Sequence, residues 1–145
     1  MPTKHPMKET IIKSQPENVA RLCEKFRGEA VKAGIPEVVA MELELAISEA
    51  VTNVIEHAYQ WDETQYIKFI ISVSNQSVTI EIKDQGKPIA ADLFSDIEPG
   101  FDNPPDDVGL LAESGRGLKI IQSLIDEIKI SHENGWNTLR LVKNL

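Results

Sequence analysis

The spacing of apolar residues changes period several times along this chain, and each change predicts an element. The run KETIIKS, Lys8 to Ser14, reads as a short strand. Ser14 then offers an N-cap, with Pro16 and Glu17 following as at many helix starts. Val19, Leu22, Phe26 and Ala30 recur on one helical face, and Gly34 ends that helix. Pro36 opens a second helix that runs to about Tyr59. IKFIISVS and SVTIEIKD read as two strands meeting in a hairpin at Asn75-Gln76. After a long loop from Gln85 to Glu113, Leu118, Ile121, Leu124 and Ile128 fall on one side of a third helix. DEIKISH and NTLRLVK close the chain as strands around a turn at Asn134-Gly135.

The order β-α-α-β-β-loop-α-β-β is not a regular alternation. It predicts an α/β fold, a two-layer sandwich with a mixed, mostly antiparallel sheet and helices on one face. At 145 residues the chain is expected to form a single domain, 1–145, with a real core. The 6% aromatic content leaves that core to Ile, Val, Leu and Ala. Fifteen basic against 23 acidic residues give a net charge of −8, which argues against nonspecific nucleic-acid binding. No apolar run approaches a membrane span, and the polar start MPTKHPMKET lacks a signal peptide's apolar segment. The one cysteine, Cys23, excludes an internal disulfide and fits a reducing compartment. It shares a face with Val19, Leu22 and Phe26, as a buried structural thiol does. The expectation is a cytoplasmic protein without a membrane partner.

Candidate chemistry begins in the second helix, in SEAVTNVIEHAY. At roughly 100° per residue, Leu43, Ile47, Val54 and Ala58 form a buried stripe. Glu42, Glu49 and Asn53 make a second stripe beside it, with Glu56 and His57 on its margins. These polar groups therefore follow the rim of a core, where a cleft can form. A carboxylate one turn before an amide suits a Mg²⁺-bound phosphate, because Asn offers the metal an oxygen and Glu can take a proton. Taken alone, Glu and Asn four apart are also common on exposed helices.

Two further motifs follow. In SVTIEIKD, strand alternation places Asp84 in phase with Val78, Ile80 and Ile82, a costly position for a carboxylate without donors. Gly86, two residues on, lets a flat ligand or another backbone come close. An acid against an apolar floor suits the exocyclic amine of adenine, although strand-end Asp also starts ordinary turns. In ESGRGLKIIQSLID, Gly115 and Gly117 open an amphipathic helix, where bare amides can form an anion site. This is neither a Walker A loop nor a Rossmann fingerprint, and a lone GxG can be a tight turn. Between the motifs, seven acids and no Lys or Arg lie between Lys87 and Arg116, in a loop long enough for a functional lid or a disordered insertion.

In this order, ExxxN on a helix, DxG after a strand, a long loop and GxGL opening a helix resemble the GHKL ATPase superfamily with its Bergerat ATP-binding fold. ELELAISEAVTNVIEHAY and GRGLKIIQSLIDEI look most like its anti-sigma factor serine/threonine kinase branch. The resemblance implies that Asn53 coordinates Mg²⁺ on ATP and that Glu49 is the catalytic base. It further implies that Asp84 accepts from the adenine amine and Gly86 lines the base pocket. Gly115 and Gly117 would contact phosphates through their amides, with Arg116 beside them, and Thr138 would lie near adenine. The loop 87–113 matches the ATP lid, although Glu113 stands where a basic residue is common and the loop is strongly acidic. The partners so implied are a sigma factor and a STAS-domain anti-anti-sigma protein, and the branch also admits a homodimer. Two activities are compatible with it: phosphorylation of the antagonist, or nucleotide-gated binding without kinase activity.

Overall fold

The computed structural model describes residues 8–88 and 117–145. From residue 89 onward the expected lid lies outside them, as do Gly115 and Arg116. The elements run β1 (Lys8–Lys13), α1 (Glu17–Lys32), α2 (Glu37–Asn53), β2 (Tyr66–Val73), β3 (Ser77–Asp84), a helix α3 over 117–124, β4 (Glu127–Glu133) and β5 (Trp136–Asn144). A π-helical turn, Val54–Ala58, continues α2.

The five strands are ordered β1-β2-β3-β5-β4. Every pairing is antiparallel, so among the described residues the sheet has no parallel pair where a mixed sheet was expected. The reason lies in the last hairpin. Asn134 and Gly135 both take positive φ (54° and 80°), the geometry of a tight two-residue turn that reverses the chain in register. The reversal leaves β4 at the edge and places β5 against β3.

Strict alternation builds the core. Ile67, Phe69, Ile71 and Val73 on β2 and Val78, Ile80 and Ile82 on β3 are buried on one side of the sheet. They join Leu22 and Phe26 of α1, Leu43, Ile47 and Val51 of α2, and Ile121 of α3 in one apolar cluster. Cys23 belongs to it, and burial pushes its thiol pKa up. The predicted stripe Leu43, Ile47, Val54 and Ala58 is buried throughout.

Helix ends fix the frame. At α1, Gly34 (φ +74°) donates to Val31 O, and Ile35 N donates to Ala30 O, a left-handed cap that buries Ile35. Its start differs from expectation. Pro16 is the N-cap and carries helical angles, while Ser14 N pairs with Gln65 O and the Ser14 side chain is buried in the strand's continuation. α3 ends at residue 124 rather than running on to Ile128, which belongs to β4. There Lys143 Nζ donates to Leu124 O at 2.7 Å and pairs with Glu42 Oε2 at 3.0 Å, tying α3 to α2 and β5. A cation on the last carbonyls also suits the helix dipole.

The π-turn docks the loop that follows β3. Lys87 N donates to Ala58 O at 2.8 Å, and Gln85 N donates to the Tyr59 hydroxyl at 2.7 Å, which itself donates to Tyr66 O at 2.6 Å. Gly86 lies flat against this turn: a Cβ there would stand 2.3 Å from Ala58 O and 2.9 Å from Tyr59 Cδ1. Its bare α-carbon therefore admits another backbone. We expect Gly86→Ala to cost at least the ~1–3 kcal/mol typical of overpacking. Gly28→Ala is the control: it meets nothing within 4 Å in the body of α1, and should gain up to about 1 kcal/mol of helix propensity. Urea unfolding of the two variants checks both signs.

Candidate functional site

α2 and the start of α3 meet side on. A Cβ placed on Gly117 would lie 3.0 Å from Glu49 Oε2, and 3.3 and 3.4 Å from Asn53 Nδ2 and Oδ1. Any larger residue would press its side chain onto both groups. The missing side chain thus lets the start of α3 reach the rim of α2. Asn53 is 7% exposed, yet its amide makes no hydrogen bond among the described residues. A nearly buried amide normally has partners, and the described residues supply none for this one. Glu49 is half-buried one turn away.

On the other side stands Asp84, 5% exposed at the end of the apolar face of β3. Gly86 N and Asn137 Nδ2 both donate to its Oδ1, each at 2.8 Å. Burial pushes the Asp84 pKa up, and the Asn137 and Gly86 donors and nearby His132 pull it back only in part. Asn137 Nδ2 also donates to Gly86 O at 2.9 Å, and its Oδ1 lies 2.7 Å from His132 Nδ1. Because Asn137 spends its amide hydrogens on Asp84 and Gly86, its oxygen must accept, which places a proton on His132 Nδ1.

Between these groups runs a slot lined by Ala50, Asn53, Val54, Leu118, Ile130 and Leu139, with Asp84, Asn137 and His132 at one end. Its cavity volume is about 30 Å³, room for about two waters. This enclosed part is smaller than a purine. Apolar walls with a few convergent polar groups are what small-molecule sites usually offer.

The structure therefore brings Glu49, Asn53 and Gly117 together, and Asn53 and Asp84 line the same slot. Thr138 borders the slot, but it is the Cα partner of Lys83, so alternation turns its side chain to the opposite face. The residue facing Asp84 is Asn137, its own Cα partner. Sequence reasoning passed over Asn137 and His132, although Asn137 lies one residue from the threonine it singled out. The signal available was phase: with the Asn134-Gly135 turn fixed, His132 and Asn137 become partners, and both fall on the apolar side of their strands. His57 lies in the π-turn 3.7 Å from Glu56 and does not line the slot. Among the described residues no group of three His, Cys, Asp or Glu could hold a metal by itself. No helix among them is long and apolar enough to cross a membrane.

The histidine kinase-like ATPase domain family matches residues 12–143. The serine-protein kinase RsbW of Oceanobacillus iheyensis is 32% identical over 126 residues, covering 86% of this chain and 78% of that protein. An anti-sigma F factor of Clostridium botulinum is 34% identical over 130 residues, covering 90% of this chain and 86% of that protein. Among solved structures, the RsbU and RsbW domains of Rv1364c from Mycobacterium tuberculosis superpose with a TM-score of 0.64 at 19% identity, over 96% of this chain and 32% of that one, a likeness of fold. The chain therefore belongs to the histidine kinase-like ATPase domain family, in the anti-sigma serine kinase branch of the GHKL superfamily.

Proposed function

We infer that the protein is an ATP-dependent serine/threonine kinase acting as an anti-sigma factor. It phosphorylates a STAS-type antagonist and sequesters a sigma factor, in the cytoplasm. The observation that carries this reading is that Glu49 and Asn53 both lie beside Gly117, while Asn53 and Asp84 line one apolar slot.

Those residues fit Mg-ATP. Asn53 supplies one neutral oxygen, and Mg²⁺ in phosphoryl-transfer sites takes few protein ligands, the rest being phosphates and water. When bound, Mg²⁺ neutralises charge that develops on the transferring group. Ala50, Val54, Leu118 and Leu139 supply apolar walls for a purine, and Asp84 accepts from its exocyclic amine. The Gly117 end of α3 presents amides to phosphate, helped by the dipole of its helix. Glu49, beside both Gly117 and Asn53, receives the proton of the attacking Ser or Thr hydroxyl as the phosphoryl group moves. Phosphoryl transfer asks the protein mainly for positioning and charge stabilisation, which this arrangement provides. Names among the relatives, serine-protein kinase and anti-sigma F factor, support both halves of the reading.

Incubation with γ-labelled ATP and a STAS-domain antagonist tests it: label should move to the antagonist. Bound but intact ATP would make the protein a nucleotide-gated binder instead. Glu49→Gln should keep ATP binding and lose roughly 10²–10⁴-fold in transfer rate, a split that quenched-flow kinetics resolves. Asn53→Ala should bind ATP equally with and without Mg²⁺; a persistent Mg²⁺ dependence in titration calorimetry would remove Asn53 from that role.

Asp84 gives a prediction in pH. Its folded pKa is raised above the ordinary 3.8, so its contribution to stability is full below that value and is lost as pH rises through the folded pKa. Asp84→Asn keeps an oxygen for Gly86 N and Asn137 Nδ2 but removes this penalty. The variant should match or exceed the wild type in stability at neutral pH, with the difference opening as pH rises from about 4. It should also lose ATP affinity. Thermal melts across pH, paired with ATP titration, read both effects.

A further inference from the structure

Asn137 is bonded on every side, and none of its bonds reaches into the slot. Its Nδ2 donates to Asp84 Oδ1 at 2.8 Å and to Gly86 O at 2.9 Å, while its Oδ1 lies 2.7 Å from His132 Nδ1. We propose that Asn137, held from behind by His132, sets the purine preference of the slot by fixing the Asp84 carboxylate with one oxygen turned to the protein and the other to the ligand. The proposal rests on the reading of Asp84 as the acceptor for the adenine amine.

The argument starts from how the carboxylate is occupied. Both of its hydrogen bonds end on Oδ1, from Gly86 N and from Asn137 Nδ2. Oδ2 has no donor among the described residues, so it meets a ligand as a pure acceptor. Adenine presents an amine at the corresponding edge and guanine a carbonyl oxygen, which would face Oδ2 acceptor to acceptor. Discrimination by an unpairable polar group is far stronger than discrimination by shape alone.

That discrimination lasts only while the carboxyl stays ionised and does not turn. A protonated carboxyl could donate to a guanine carbonyl, and a rotated carboxylate would no longer aim its free oxygen at the adenine amine. At 5% exposure, desolvation works toward protonation, and the donors on Oδ1 work against it. Asn137 opposes rotation as well, because its second bond anchors the same amide to the Gly86 carbonyl. The two acceptors on its Nδ2 side fix the amide's orientation, and the His132 Nδ1 proton locks it from the other end. Thr138 cannot substitute, since it pairs with Lys83 and points away. Asn137 is thus a positioning residue, acting on the ligand through Asp84.

The test is the ratio of ATP to GTP affinity, measured by calorimetry with Mg²⁺ on the whole chain. Asn137→Leu should narrow that ratio by about tenfold, the scale of one lost hydrogen bond to a charged group. Asn137→Ser, a milder change should the leucine variant unfold, should shift it in the same direction. His132→Ala should produce a smaller shift, and His132→Gln, whose amide can still donate to Asn137 Oδ1, should return the ratio toward the wild type. If both Asn137 variants weaken the two nucleotides equally and leave the ratio intact, Asn137 is a structural support and the proposal fails. If Asp84→Asn itself leaves the ratio unchanged, the failure belongs to the Asp84 reading, and the proposal falls with it.

Discussion

An acid on the apolar face of a strand either finds donors or gives up its charge, and the site of this protein is arranged around that requirement. Asp84 continues the Val78, Ile80 and Ile82 series and is nearly as buried as they are. Its donors come from two sources. One is local, the Gly86 amide two residues on. The other is the Asn137 amide, brought opposite by the register of β5. The turn carrying Gly86 is in turn fixed by Ala58 and Tyr59 at the end of the π-turn. The carboxylate is therefore held by three separate elements, and a shift in any of them is felt at one oxygen.

The Gly117 end of the site depends on a different constraint, the close approach of two helices. Gly117 brings the tip of α3 to within van der Waals reach of Glu49 and Asn53. The far end of α3 is held by Lys143, whose charge is balanced by Glu42 on the same helix that carries Glu49 and Asn53. A short helix clamped at its C-terminus is kept from drifting along α2. Ile121, fully buried between these ends, adds the apolar contact that sets its rotation.

Much of this was legible in the sequence because it follows from periodicity and turn chemistry. The strand phase that placed Asp84 inward, the buried stripe of α2, the Gly34 cap and the Asn134-Gly135 hairpin all express local rules, and the structure has each of them. What was not legible depends on contacts between distant segments. Ile128 fits both the helical spacing and the strand DEIKISH, and only the structure assigns it to β4, with Lys143 of the last strand bonded to Leu124 O at the end of α3. Ser14 has the chemistry of an N-cap, yet its backbone is drawn into pairing with Gln65. Gly86 signalled close approach without revealing that the neighbour is the Ala58 carbonyl. The tie between Asn137 and Asp84 spans 53 residues and exists only once β3 and β5 are in register.

The narrowness of the slot follows from the same geometry and says where it must give. The enclosed part of the cavity, about 30 Å³, is smaller than a purine, so a bound base draws on the open side of the slot or on its more yielding walls. The β3 wall is the least free: its inward residues are buried, it is paired on both sides, and its end is pinned through Gly86. The α2 wall carries Ala50 and Val54 in the middle of the core. What remains is Ile130 on edge strand β4, largely exposed along its length and hydrogen-bonded to a neighbour on one side only, and Leu118 at the start of α3. Displacing an edge strand disturbs few buried contacts, whereas displacing a central one opens the core. Among the described walls, the β4 and α3 side is therefore the one that yields at least cost to the core.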